Sequence, residues 1–232
     1  MRILLKVLSL GLALHIMECS AQTVSGQTGG YNYVDLGLPS GTKWATCNVG
    51  ATQPAEFGTY YAWGETSPKK DYSWDSYKWC KNKELDKYGD PLDFTKYVTD
   101  SIQGSVDNKT VLEPEDDAAT VYLGDKWRTP TESEMKELKN GCNWTWTNDY
   151  NGTNVAGMIG TSKTNGRTIF LPAAESRDDE IHTTKFHFGK YLTASLHPKQ
   201  SLVTSYLLIE KDEIGIGIDN RCYGRTVRAV VK

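Results

Sequence analysis

An α+β fold dominated by antiparallel pairing is what this sequence predicts, and three observations predict it. Its apolar stretches are short and bounded by Gly, Pro, Asn and Asp, the pattern of brief strands joined by turns. Helix signatures occur twice, both in mid-chain, whereas a parallel sheet would need helices alternating with strands. The content of 21 Gly, 7 Trp and 13 Tyr against 5 Phe describes a fold with long loops, whose aromatics pack by the ring and bond by the tip. A chain of 232 residues with 38% hydrophobic and 24% charged content can bury a core of its own, which excludes disorder and a long coiled coil. A formal charge of -3, a pI near 5.8 and the lack of any Lys/Arg block give no field for phosphate backbones, so no nucleic acid is expected as a partner.

Taken in order, residues 1–21 read as a secretory signal. Arg2 and Lys6 precede an apolar run over 7–16, and Cys19-Ser20-Ala21 supplies small residues before a cleavage site after Ala21. Lipoprotein processing at Cys19 is the alternative; Ile16 fits a lipobox and Glu18 fits it badly. The run is too short to span a bilayer, so no membrane-spanning segment is expected in the mature chain. The expected compartment is the periplasm, the outer-membrane surface or the exterior. Loss of Arg2, Lys6 and Glu18 moves the formal charge from -3 to -4. Residues 22–30 are small, polar and glycine-ended, the composition of a flexible leader. One domain is expected over 31–232.

Strand-like runs follow at 31–36, 42–48 and 59–63, separated by Gly/Pro-rich turns at 37–41 and 50–58. Residues 69–109 turn polar and unperiodic, dotted with Tyr and Trp, and read as a loop excursion without a second core. Pro114 with Glu115, Asp116 and Asp117 marks a helix start, and the helix runs to Gly124. Thr131 and Glu134 have capping-box spacing, Met135 and Leu138 lie one turn apart, and Gly141 suits a left-handed stop. Beyond Cys142 strands return at 155–162, 168–171, 191–196, 202–209, 214–218 and 226–231, with Asn151-Gly152 and Asn165-Gly166 as turn signals.

Outside the signal the cysteines are Cys47, Cys80, Cys142 and Cys222, an even number that suggests disulfides in an oxidising compartment; three pairings are open. His182, His187 and His197 sit in no catalytic or metal motif, and the five-residue step between the first two faces opposite sides of a strand. Carboxylates occur in runs at 113–117 and 178–180, which read as helix-start and loop acids; a glycosidase needs two opposed groups. The aromatic signal is stronger. Tyr72, Trp74, Tyr77 and Trp79 crowd a segment holding Lys70, Asp71, Asp75 and Lys78, the mixture of flat apolar faces and hydrogen-bonding groups that sugars and protein hot spots use. Trp144 and Trp146 share a face if extended. The competing reading is that these rings close the excursion onto the scaffold as a satellite core.

Several strings occur together: Tyr33 to Gly41 (YVDLGLPSG), Trp44 to Ala51 (WATCNVGA), Tyr61 to Glu65 (YAWGE), Trp127 to Thr131 (WRTPT), Ile169 to Ala174 (IFLPAA) and Gly224 to Arg228 (GRTVR). This ordered set is similar to the major paralogous domain family named for Fibrobacter succinogenes, common in exported Bacteroidetes proteins, and spans nearly the whole chain after the signal. The helix start and closing strand also resemble formylglycine-generating enzymes and, more distantly, C-type lectins. The resemblance implies a C-type-lectin-like fold with Trp44, Trp63 and Trp127 as scaffold; Arg128 and Arg228 are expected in buried structural hydrogen bonding, since a guanidinium can satisfy several carbonyls at once. Glu175 stands where the family's Leu-Pro-Ala-Ala string continues into Gly. Formylglycine-generating enzymes use a cysteine pair near the chain end, whereas Cys222 stands alone, so that copper chemistry is not expected and no cofactor is implied. Glu113-Pro114-Glu115 and Trp146-Thr147-Asn148-Asp149 only faintly echo lectin calcium and sugar motifs.

These readings converge on an exported, non-catalytic binding module at the cell envelope. It would recognise a glycan or a surface protein through Tyr72, Trp74, Tyr77, Trp79, Trp144 and Trp146. The alternatives are a carbohydrate-active enzyme with a carboxylate pair and a structural subunit of a surface assembly.

Overall fold

The protein, seen in a computed structural model, is described over residues 21–81, 85–178 and 188–232. Residues 1–20, with Cys19 and all of the signal but Ala21, lie outside the described residues, as do His182 and His187. Among those residues the strands are β1 (Gly26–Thr28), β2 (Tyr31–Val34), β3 (Lys43–Ala45), β4 (Cys142–Thr147), β5 (Gly157–Ser162), β6 (Thr168–Pro172), β7 (Phe188–Leu196), β8 (Val203–Glu210), β9 (Glu213–Asn220) and β10 (Val230–Val231). The α-helices are α1 (Ala118–Leu123) and α2 (Glu132–Gly141). The strands form three antiparallel sheets ordered β1-β2-β3-β10, β4-β5-β6 and β7-β8-β9, so the α+β class holds. No helix among the described residues is long and apolar enough to cross a membrane.

The helix signals work as expected at their starts and differently at their ends. Thr131 Oγ1 accepts from the Glu134 N–H, and the Glu134 carboxylate accepts the Thr131 N–H at 2.9 Å, closing the capping box. Gly141 is not a left-handed stop: α2 passes directly into β4 through Cys142 at φ -120°. Its missing side chain instead admits Leu38, whose Cδ2 lies 2.4 Å from where a Cβ would stand. Pro114 opens a 3-10 turn, and Asp117 then caps α1 by accepting from the Ala119 N–H at 2.9 Å.

The leader is not loose. Gln22 Nε2 donates to Thr46 O at 2.6 Å, Phe170 N–H donates to Gln22 Oε1 at 2.7 Å, and the Thr23 N–H donates to Thr168 O at 3.1 Å. The segment thus satisfies the edge of β6 that β5 leaves open, and continues into β1. Composition alone suggested flexibility because polar residues also serve as edge-covering partners. The run at 59–63 forms only a single bridge, Tyr61 to Arg225, and no ladder.

The core falls into three clusters. Leu36, Trp44, Met135, Leu138 and Tyr191 belong to the first, and Trp63, Tyr97, Trp127 and Val227 to the second. The third belongs largely to the excursion, with Tyr72, Tyr77, Cys80, Phe94 and Val98 joined by Cys222. The excursion therefore condenses around a core of its own, because its rings supply enough apolar area despite the polar sequence between them. Trp44, Trp63 and Trp127 are buried, as are Arg221, Arg225 and Arg228. Arg228 donates to Ala45 O, Thr46 O and Asn48 Oδ1, whereas Arg128 is half-exposed and pairs with Glu134. No disulfide joins Cys47, Cys80, Cys142 and Cys222: Cys47 is half-buried, Cys142 sits in the first cluster, and Cys80 and Cys222 in the third. A core assembled by burial needs no such staples.

Candidate functional site

The aromatic residues singled out by sequence occupy two separate places. Tyr72 and Tyr77 are buried, with their phenol groups donating to Tyr60 O at 2.8 Å and Trp63 O at 2.6 Å. Trp74 is half-buried and packs edge-on against Tyr77; Trp79 meets Tyr97 in the same way and donates its Nε1–H to Gly64 O. Gly64 has no side chain to obstruct that indole: a Cβ there would stand 2.8 Å from Trp79 Nε1. These rings make the satellite core, and they do not form an open platform. Trp144 and Trp146 do share a face of β4, half-buried against the first cluster, with Trp144 lying over Gly160. Their indole N–H groups donate to Lys139 O and Asn148 Oδ1.

One face of this satellite core opens into a depression of about 570 Å³ lined by Thr59, Tyr60, Pro68, Lys69, Lys70, Tyr72 and Arg177. Its floor follows from a glycine. Tyr72 lies against Gly224, where a Cβ would sit 2.7 Å from the ring, and the phenol reaches Tyr60 O. Gly224 in turn exchanges backbone hydrogen bonds with Arg177, at 2.6 and 2.7 Å, which brings the Arg177 side chain over the Tyr60 ring at 4.7 Å. Tyr60 completes the set by donating its hydroxyl to Ala174 O at 2.5 Å. Burial pushes the phenols of Tyr60 and Tyr72 up from their ordinary values, so both remain protonated donors at neutral pH.

The cations divide by partner. Lys69 Nζ donates to Glu65 at 2.9 Å and to Ser76 O at 3.2 Å, over the Tyr72 ring. Lys70 and Arg177 are exposed and have no carboxylate partner among the described residues. The described lining contains no carboxylate, imidazole or thiol, so the depression can hold a ligand by rings, cations and hydroxyls but offers no group to shuttle protons at neutral pH.

Elsewhere, Glu113, Glu115 and Asp116 bring ligand oxygens within 4.8 Å of one another. Lys96 Nζ contacts all three, at 2.5 Å for Asp116, and Lys109 and Lys78 add further ammonium groups. The faint calcium-like string is thus answered by an internal ammonium. Asp117 caps α1 and accepts from Thr129 N and Oγ1, leaving that acidic run structurally committed.

Sequence reading missed Tyr60 and Arg177. Tyr60 was detectable: Tyr61 enters the core in an extended pair, so its neighbour must point to the other side. Arg177 carries no such signal, because its position depends on a bridge to Gly224 across 47 residues of chain. Compared with protein-family models, curated proteins and solved structures, the chain matches none.

Proposed function

We propose that this protein is an exported, non-catalytic binding module at the cell envelope that recognises a glycan through the Tyr60–Arg177 depression. The observation that carries the reading is the joint presence, in one open cavity of about 570 Å³, of a tyrosine ring held under a guanidinium and of cationic donors, Lys70 and Arg177, with no carboxylate partner among the described residues. Flat apolar surface fringed by fixed donors suits sugar rings, and the described lining holds no opposed carboxylate pair to support the hydrolytic alternative. The signal pattern of residues 1–21 supports export.

Retention of the purified protein on arrays of glycans and envelope proteins tests the reading. Arg177→Ala is expected to leave the thermal transition in place, because the side chain is exposed, and to reduce glycan retention at least tenfold. Unchanged retention would remove the depression from the site, and retention only on proteins would replace the glycan with a protein partner.

A further inference from the structure

The glycan reading leaves the ligand's chemistry open, and the charges around the depression narrow it. Resting on that reading, we infer that the site selects an acidic saccharide, a sugar unit bearing a carboxylate or sulfate, with Lys70 and Arg177 as the residues that read its charge.

Three cationic side chains line the cavity, and among the described residues only Lys69 has a carboxylate partner, Glu65 at 2.9 Å. This local excess stands in a chain whose formal charge is -3, so the cationic spot opposes the mean field of the molecule. Arg177 is also preorganised. Its backbone is bridged to Gly224 on both sides and its guanidinium rests on Tyr60, so a forked anion meets donors already in position and little side-chain freedom is lost on binding. A planar carboxylate or a sulfate can take two parallel N–H bonds from Arg177 while Lys70 supplies a point charge.

A saccharide fits better than an acidic peptide because none of the lining residues belongs to β1–β10, so the cavity presents no strand edge for a peptide to extend. The N–H of Thr59 donates to Val49 O, that of Lys69 to Tyr72 Oη and that of Arg177 to Gly224 O. The rings, hydroxyls and cations of the lining are the groups that hold a sugar by its faces and substituents.

The experiment measures retention of the purified protein on polygalacturonate and chondroitin sulfate, beside carboxyl-reduced polygalacturonate, chondroitin sulfate that is carboxyl-reduced, desulfated or both, dextran and poly-glutamate. The expected result is binding to an acidic polysaccharide that weakens as salt rises and falls roughly tenfold on removal of the acidic group. Lys70→Gln and Arg177→Gln should each reproduce that loss, and Arg177→Lys should recover part of it, since charge returns without the fork. Should a variant fail to fold, the chemically neutralised polysaccharides still decide the matter. Carboxyl reduction against desulfation separates the two anions. Equal retention of dextran overturns the inference while leaving the glycan reading intact, equal retention of poly-glutamate overturns the choice of a saccharide, and retention of no glycan overturns both readings.

Discussion

Lys96 shows how one side chain can substitute for a bound ion. Its ammonium bridges Glu113, Glu115 and the buried Asp116, and Tyr97 Oη adds a donor to Asp116 at 2.9 Å. Burial alone would raise the Asp116 carboxyl, but the hydrogen bonds from Lys96 and Tyr97 outweigh it and hold the carboxyl below its usual range. Tyr97 reaches this place in the left-handed region, at φ 61°, where its N–H and that of Val98 are fixed by the Asp107 carboxylate at 2.9 and 2.8 Å. Lys96→Ala should therefore destabilise the fold by about 3 kcal/mol, because Asp116 stays buried without its main counter-charge. Urea denaturation measures this. A loss within error of zero would mean that Lys78 and solvent suffice to compensate the acid.

At the scale of elements, α2 illustrates a local signal reinforced by a distant partner. Glu134 closes the capping box and also receives both Arg128 nitrogens, Nη1 at 2.7 Å and Nη2 at 2.5 Å. Burial raises the carboxyl, but Arg128 and the Thr131 N–H overcome that and bring it from the usual 4.5 down to about 2. A carboxyl depressed in the folded state contributes stability that is fully present above about 4.5 and is lost as pH falls towards 2. Half-exposure of Arg128 lets solvent screen part of the interaction, so the contribution is about 2 kcal/mol. Comparing the acid limb of stability for the wild type and Glu134→Gln checks this: the variant should be less stable at neutral pH and show a shallower decline below pH 4.5. Identical acid limbs would assign the acid sensitivity to other carboxylates.

At the scale of the whole molecule, burial in three apolar clusters is a main source of cohesion among the described residues. β10 pairing with β3 near the other end of the chain joins the first two apolar clusters, Trp79 packs against both the second and the third, and the segment at Gln22 ties β6 to Thr46. The thiols are distributed through this frame without bridging, and burial raises the Cys142 thiol to about 11. A maleimide should consequently label Cys47 in the native protein, and Cys80, Cys142 and Cys222 only after denaturation. Mass analysis without reductant reads the result; a pair resistant to labelling after denaturation would demonstrate a disulfide and require the cluster geometry to change.

The α+β class, the capping box at Thr131, the cap region near Pro114 and most of the strands were legible in the amino-acid order, because caps, turns and alternation are local interactions. Trp44, Trp63 and Trp127 could likewise be assigned to the scaffold from the strings around them. The fate of the excursion was not legible: whether Tyr72 and Trp79 face solvent or a core depends on Gly224 and Gly64, two small residues whose value as docking surfaces exists only once the chain has closed. The same closure puts Arg177 over Tyr60 and Gln22 against β6. Local sequence specifies which elements can form; contacts between distant segments decide which aromatic rings are buried and which cations are left facing a cavity.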